Sequence, residues 1–401
     1  MIKIKNKDIV VISPQTWDGA IGSNVRDIAK ELAKDNRVLF INRPMDWLTS
    51  VKSAVQVNEF SIYRKKVLKG EVSEYQQINQ NLTVFTPKMV IPSINFFPDG
   101  KLFDQANKKV NTQFSKVIKR AAAHLGFSDF IVFNDSDMFR GFYLKEMLQP
   151  QTYIYYSRDN LIFTDYYKKH GRRLEPILMA KSDVCVTNSE FLAKICRKYN
   201  TNSYDIGQGV DLTQWNPSLY QSNASDLDGI NRPIIGYVGS LLAMRLDIKL
   251  LEELASLHAH WNFVFVGPED DSFIKSKLHQ LTNVFFIGSK RPEELPAYVH
   301  SFDVCINPQL VNEMTVGNYP RKIDEYLAMG KPVVATNTPT MQTFLPHVLL
   351  ANNLQEYSSL IQRAIDSKTI EEEKSRRNFA LSHNWGESVR KLGLALTEST
   401  K

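Results

Sequence analysis

Short β-branched runs alternate with stretches of helical periodicity along most of this chain, and that alternation constrains its fold more than any other feature. Ile9–Ile12 is a buried-type apolar run that ends in Ser13-Pro14. After the loop Gln15–Gly22, Ser23 stands as the cap of a helix whose apolar residues Val25, Ile28, Ala29, Leu32 and Ala33 share one face. Val38–Ile41 predicts a second strand. Strand, helix and strand in such a short span form a βαβ unit. Further strands are predicted at Phe130–Phe133, Thr152–Tyr156, Val184–Thr187 and Tyr204–Ile206, with helical patterns between them. Val110–Leu125 reads as an amphipathic helix with Lys116, Lys119 and Arg120 on its polar side. A second series opens at Ile234–Val238 and continues through Phe263–Val266, Val284–Ile287, Val304–Ile306 and Pro332–Ala335. Helices are expected near Leu250–Leu257, Glu293–His300, Lys322–Met329 and Trp385–Leu396. The implied class is α/β, with parallel sheets covered by helices on both faces.

A chain of 401 residues suggests two domains. Asn216–Asn231 is polar, turn-rich and non-periodic, which marks it as a linker. We therefore expect an N-terminal domain over 1–215, a C-terminal domain over 232–383, and a last helix over 384–401 that packs back on the first domain. The stretch from Pro44 to Lys101 is less regular. It holds the basic run Arg64-Lys65-Lys66 and the apolar, proline-interrupted segment Met89–Pro98.

Charge is unevenly spread. Residues 1–215 carry 31 Lys and Arg against 22 Asp and Glu, a net of +9, while residues 216–401 carry 18 against 21, a net of −3. A basic first half suits an anionic acceptor, phosphate or an anionic membrane surface, and equally suits plain solubility. No nucleic-acid partner is expected. Cys185, Cys196 and Cys305 are too few for a disulfide framework and lack metal-ligand spacing, so no metal is expected and the reading is a reducing, cytoplasmic setting. Met1–Asp8 alternates apolar and charged residues, unlike a leader sequence. No run is long and apolar enough to span a membrane.

Open α/β sheets bind ligands at the carboxyl ends of their strands, which directs attention to the loops there. Gly19–Gly22 precedes a helix start, where backbone amides and the helix dipole favour phosphate. The pattern is a weak one, and a plain turn fits it as well. Gly239 follows Ile234–Val238 and permits a close turn into Ser240. Arg245 lies shortly before the next helix, with a phosphate and a salt bridge to Asp247 as its two readings. Gly288-Ser289-Lys290-Arg291-Pro292 follows Val284–Ile287 and offers Lys290 to phosphate or to solvent. The most specific segment is Gly317–Ala335. In it Asn318 and Tyr319 lie in a Gly/Pro-rich loop, and Lys322 and Glu325 then share a face of a short helix. A carboxylate there accepts two ribose hydroxyls, and the cation one turn earlier meets phosphate. The dinucleotide fingerprint G-x-G-x-x-G is absent.

The run Glu325-Tyr326-Leu327-Ala328-Met329-Gly330-Lys331-Pro332-Val333-Val334-Ala335-Thr336 resembles the nucleotide-sugar motif of GT-B glycosyltransferases, and most of all the retaining group 1 class, family 4. The P-x-K-x-x-E-Y-L-A form resembles that of the teichuronic-acid-type branch. The resemblance is good over Ile234–Pro339. In the first half it rests on Asp183–Ser189 and on Gly207-Gln208-Gly209-Val210-Asp211, similar to the family's turn into the linker. It implies two facing Rossmann-like domains and a nucleotide-diphosphate sugar as donor substrate, with no cofactor. Glu325 would hold the ribose, and Arg245 with Lys290 or Lys322 the diphosphate. Gly19 and Gly22 would approach from the other domain. The basic first half and the apolar Met89–Phe97 segment point to a glycan or lipid-linked sugar as the acceptor, in cell-surface polysaccharide synthesis, with the inner face of the membrane as one setting.

Three positions depart from the family pattern. Gly317 stands where a first glutamate is common, Ser240 replaces the cation after the strand-end glycine, and Tyr155–Asn160 occupies the place of a common histidine. On the acceptor side, Asp159 is the candidate to orient or deprotonate the acceptor and Arg158 to bind an anionic group on it, unless the two simply pair. Arg245 and Lys322 would stabilise the leaving diphosphate. Asp135-Ser136-Asp137 has metal-binding D-x-D spacing, but reads here as loop structure. His170, in Lys168–Arg173, reads as part of a solvated basic turn. A nucleotide-sugar 2-epimerase and a non-catalytic nucleotide-sugar-binding homologue are the alternatives. Apolar Met89–Phe97 reads either as a membrane-surface contact or as core.

Overall fold

The computed structural model describes residues 4–19, 24–47, 59–313, 315–367 and 369–399. Gly22 and Ser23 lie outside the described residues. The chain forms two compact units, residues 1–207 with 385–401, and residues 208–384.

The first unit is built on eight strands, β1 (Asp8–Ile12), β2 (Arg37–Ile41), β4 (Tyr75–Asn79), β5 (Leu82–Phe85), β7 (Phe130–Asp135), β8 (Thr152–Ser157), β9 (Val184–Thr187) and β10 (Ser203–Asp205). They lie in the order β10-β9-β8-β7-β1-β2-β5-β4, and all pair in parallel except the β4–β5 hairpin. Two-residue strands β3 (Met45–Asp46) and β6 (Val90–Ile91) pair with each other beside the sheet. The central strands are apolar on both faces because helices cover both. Val10, Leu39 and Val132 face one core with Phe103, Phe114 and Ile118 of the helix Lys101–His124. Ile9, Val38 and Ile131 face the other with Val25, Ile28 and Leu32 of the helix Asn24–Leu32. Trp385, Leu392 and Ala395 of the last helix, Trp385–Glu398, join that second core.

The second unit carries β11 (Ile234–Val238), β12 (Asn262–Val266), β13 (Val284–Gly288), β14 (Val304–Asn307), β15 (Val333–Thr336) and β16 (Leu349–Ala351). Their order is β13-β12-β11-β14-β15-β16, all parallel. This is the doubly wound Rossmann order, in which strands from the middle run first to one edge and then to the other. The reversal falls between β11 and β14. In the first unit it falls between β1 and β7. Ligands sit outside the carboxyl ends of the strands at such points.

Several elements differ from expectation. The helix over Val110–Leu125 begins earlier, at Lys101. The irregular stretch after Pro44 contains a helix, Glu59–Lys69, and the β4–β5 hairpin. His170 is not on a solvated turn. It is fully buried in the helix Asp165–Lys181, stacked on Phe103 with ring centroids 3.6 Å apart, and 3.0 Å from Asp99 Oδ1. An apolar neighbour and a carboxylate partner outweigh the surrounding cations. The Met89–Phe97 segment divides: Ile91 is buried and Met89, Ile94 and Phe97 pack on the core, while Phe96 stays 69% exposed.

Candidate functional site

In the second unit, the carboxyl ends of β11 and β12 close tightly on each other. Gly239 has φ +137° and Gly267 has φ +150°, values that L side chains rarely adopt. A Cβ on Gly267 would stand 2.1 Å from the Gly239 carbonyl oxygen. One on Gly239 would stand 2.7 Å from Lys322 Nζ and 3.3 Å from the Tyr237 hydroxyl. Absence of a side chain at Gly239 is what lets the ammonium group lie against this strand end.

Lys322 opens the helix Lys322–Ala328. Its Nζ donates to the Tyr237 hydroxyl and lies 3.8 Å from that ring's centroid. Burial pushes the Lys322 ammonium down to about 7. Glu325 opposes that shift, and the Arg245 charge adds to it. Tyr237 is pushed upward by burial, with the Arg245 charge opposing. Lys322, Tyr237 and Arg245 therefore sense one another at a single strand end. Glu325 lies one turn beyond Lys322. Burial raises its carboxyl above the usual range, against the Arg321 and Lys322 charges. Among the described residues its carboxylate accepts no hydrogen bond.

Arg245 is exposed, in the loop that leaves β11. Its backbone is fixed on both sides, N–H to Leu242 O at 2.8 Å and C=O from Leu310 N–H at 2.8 Å. This ties it to the loop after β14, at the topological reversal. Asp247 is not its ion-pair partner. That carboxylate caps the helix Ile248–Leu257 by accepting from Leu250 N at 3.0 Å. Ser240 is exposed beside Gly239, with its carbonyl 3.4 Å from the Tyr237 hydroxyl.

Not every predicted residue joins this group. Lys290 is drawn to Asp226, which also accepts from the Tyr298 hydroxyl at 2.7 Å. That pairing holds the Lys290 ammonium above its ordinary range. Tyr319 is an anchor. Its hydroxyl donates to Asp324 Oδ2 at 2.9 Å and lies 3.1 Å from His383 Nδ1, which itself sits 2.7 Å from Asp324 Oδ1. Burial raises the Asp324 carboxyl in spite of both hydrogen bonds. Asn318 Oδ1 is buried with no partner among the described residues. Sequence reasoning missed Tyr237, Asp324 and His383. The Tyr237–Lys322 and Asp324–His383 contacts reach across 85 and 59 positions of chain, and no local pattern announces them.

In the first unit, Asp135 at the end of β7 accepts from Ser13 Oγ at 2.6 Å and from Arg158 Nε at 2.8 Å. Three neighbouring strand ends, β1, β7 and β8, are locked by this fully buried carboxylate. Arg158 is only 3.6 Å from Asp159 at its other end, and Asp159 is the more exposed partner. Asp137 is held by Arg140 Nε at 2.7 Å. Both carboxylates of the D-x-D sequence are thus paired with guanidinium groups. Gly19 lies in the loop after β1, where Arg26 donates to its carbonyl at 3.1 Å.

Residues 232–366 match the family described as Glycosyl transferases group 1. The chain carries a group 1 glycosyltransferase domain. That domain spans the six-stranded sheet with Gly239, Arg245, Lys322 and Glu325. A curated relative, the putative teichuronic acid biosynthesis glycosyltransferase TuaH of Bacillus subtilis (strain 168), is 27% identical over 242 residues. That alignment covers 57% of this chain and 60% of the relative's length. Solved structures share the fold across nearly the whole chain. OtsA in its apo form superposes with TM-score 0.70 at 10% identity, covering 98% of this chain and 99% of its own. Sucrose-phosphate synthase from Thermosynechococcus elongatus gives 0.66 at 15%, with 98% and 99% covered. Anabaena Alr3699/HepE in complex with UDP gives 0.64 at 15%, with 98% and 100% covered. The chain has the GT-B type of fold, with two Rossmann-like units of parallel sheet. Among the described residues no helix is long and apolar enough to cross a membrane.

Proposed function

We propose that this protein transfers a sugar from a nucleotide-diphosphate sugar to a glycan or lipid-linked acceptor, and that its glycosyltransferase domain holds the donor. The observation that carries this reading is the Lys322 ammonium seated between Gly239 and Tyr237, with Glu325 one turn away and Arg245 on the same strand end. Glu325 accepts the two ribose hydroxyls, and Asn318 Oδ1 accepts a further donor from the nucleotide. Lys322 and Arg245 meet the diphosphate oxygens. As the sugar–phosphate bond breaks, negative charge grows on the leaving oxygen, and cations already in place lower the barrier without reorganising. With two cations on the diphosphate the reaction needs no metal.

The reading extends to stereochemistry and acceptor. Transfer retains the anomeric configuration, and the departing phosphate oxygen takes the acceptor hydroxyl's proton. Asp159 and Arg158 belong to the acceptor side. Lys290, paired with Asp226, is a further cation for the phosphates. The pathway is cell-surface polysaccharide synthesis at the inner membrane face. The teichuronic acid relative supports that pathway, and the net charge of +9 over residues 1–215 supports a contact with an anionic surface. HepE in complex with UDP supports a uridine donor.

The test is a thermal-shift screen of UDP, GDP, ADP and dTDP on the wild type and on Glu325→Ala. One nucleotide is expected to stabilise the wild type and to lose most of that effect in the variant. Equal stabilisation of both proteins would remove Glu325 from the site. No stabilisation by any nucleotide would leave only a scaffold.

A further inference from the structure

The second unit holds a pocket of about 270 Å³ at the amino ends of β15 and β16, between the end of the helix Leu354–Asp366 and the start of the helix Ile370–Ser382. Val333 and Leu349, the first residues of the two strands, line it. The candidate donor site lies at the carboxyl ends of the same sheet, and the two sites share no residue. The volume is near the small end of the range for ligand pockets, about 300–1,000 Å³, and suits a group as small as a phosphate.

Donors dominate its polar lining. Arg363, Arg376, His347 and Ser375 stand there with one carboxylate, Glu372. Arg376 is the inner cation, its side chain 12% exposed. Its Nε donates to the Gly330 carbonyl at 2.9 Å, which fixes the planar head. Its Nη2 makes no hydrogen bond among the described residues, yet it is not sealed from water. Glu372 comes only to 3.9 Å of Nη1, beyond hydrogen-bond reach, and is half exposed. Burial pulls the Arg376 guanidinium below its ordinary range in spite of Glu372 and Glu373, so its charge is under-compensated. Arg363 is exposed, and its guanidinium has no partner among the described residues. His347 packs on Phe379 with ring centroids 4.3 Å apart, and neither ring nitrogen has a hydrogen-bond partner among the described residues. Burial holds its imidazole below its ordinary range, with the Arg376 charge adding, so the ring is mostly uncharged at pH 7.

We propose that this pocket binds a phosphate group, free or as the monoester of a small metabolite, at a site separate from the donor's. Arg363 and Arg376 supply charge-assisted N–H donors, and a guanidinium suits phosphate oxygens well. The Ser375 hydroxyl and the His347 ring add neutral donors. These groups come from two helices and the loop before β16, so they approach from several sides. The oxygens of a phosphate spread in three dimensions and meet such a set, whereas a carboxylate offers two oxygens in one plane. A neutral sugar would leave both guanidiniums without a counter-charge. A divalent cation would meet one carboxylate and two like charges. Glu372 weakens the binding of an anion, and being half exposed it can turn to solvent.

Calorimetric titration of the full chain with inorganic phosphate, glycerol 3-phosphate and acetate tests this. The wild type is expected to bind at least one of the two phosphates, and acetate about tenfold more weakly. Binding of inorganic phosphate alone assigns free phosphate, and tighter binding of glycerol 3-phosphate assigns a monoester. Arg363→Gln, at an exposed helix position, should weaken that binding about tenfold without disturbing the fold, and Arg376→Gln should do the same. Glu372→Gln should strengthen it several-fold, a gain that damage to the fold does not produce. Lys322→Met, in the candidate donor site, should leave it in place. Failure of both phosphates to bind would overturn the proposal, as would acetate binding as tightly as phosphate. Binding kept in Arg363→Gln and lost in Lys322→Met would place the anion in the donor site, which refutes this pocket and leaves the transferase reading intact. Phosphate binding here with no nucleotide bound anywhere would do the reverse.

Discussion

Lys322 makes donor binding dependent on pH, with a sign and size that follow from its surroundings. Its ammonium titrates near 7 because burial disfavours the charge and Arg245 adds repulsion, only partly offset by Glu325. About nine in ten unliganded sites then carry the charge at pH 6, and about one in ten at pH 8. A diphosphate stabilises the charged form, so binding above pH 7 draws a proton from solution. Affinity for a nucleotide sugar should fall about tenfold from pH 6 to pH 8. The sugar ester is the correct probe, since it lacks the terminal phosphate that titrates near pH 6. Calorimetry in two buffers of different ionisation enthalpy should show uptake of about 0.1 proton at pH 6, about 0.5 at pH 7 and about 0.9 at pH 8.

Two variants separate Lys322 from other titrating groups. Lys322→Arg keeps its charge throughout, so its affinity should be flat across this range. Lys322→Met should bind the donor poorly at every pH, yet it should melt at a higher temperature than the wild type. The folded-state pKa lies below the unfolded one of about 10.4. The wild-type fold therefore carries its full lysine penalty below pH 7 and sheds it as pH rises towards that unfolded value. The gain in Lys322→Met should be largest near pH 6. A wild-type affinity that stays flat from pH 6 to pH 8 with no proton uptake would refute this account of the site.

Two further predictions concern the strand ends. Gly239→Ala places a Cβ on a backbone at φ +137° and 2.7 Å from Lys322 Nζ; it should destabilise by about 1–3 kcal/mol and weaken nucleotide binding, read by denaturant melts and by calorimetry. Asp135→Ala deprives the buried Arg158 guanidinium of its closer partner, leaving only Asp159 at 3.6 Å, and should cost about 3 kcal/mol; manganese should not raise the melting temperature of the wild type, whereas a metal role for Asp135 requires that it does.

How legible the fold was depended on how each strand is buried. β11 was readable to the residue because Ile234–Val238 is apolar on both faces. β4, Tyr75–Asn79, was not, because an edge strand with Gln76, Gln77 and Asn79 looks like a polar loop. The helix Lys101–His124 looked shorter because Asn107 and Asn111 sit on its buried face and break the apolar spacing. In the candidate site, spacing alone placed Lys322 and Glu325 together. The same reasoning offered a pair of Arg158 with Asp159 as one alternative; the structure keeps that contact at 3.6 Å and adds a closer one to Asp135, 23 residues earlier. Lys290 likewise looked available, and only the fold brings Asp226 to it, 64 positions away. Local periodicity reports which residues share a face. It does not report which partner reaches that face first.

The segment around Lys322 was the most specific in sequence because its residues alternate between two tasks. Lys322 and Glu325 project to the candidate donor site. Asp324 and Tyr326 point inward, the first to Tyr319 and His383, the second accepting from Val238 N at 2.8 Å, one residue before Gly239. A helix of seven residues is far too short to be stable from its own hydrogen bonds. Its position is set by these anchors, which also fix the strand end that its lysine touches. Loss of an anchor therefore moves cation, carboxylate and glycine turn relative to one another. A site that works by having its charges in place beforehand depends on that rigidity as much as on the charged residues themselves.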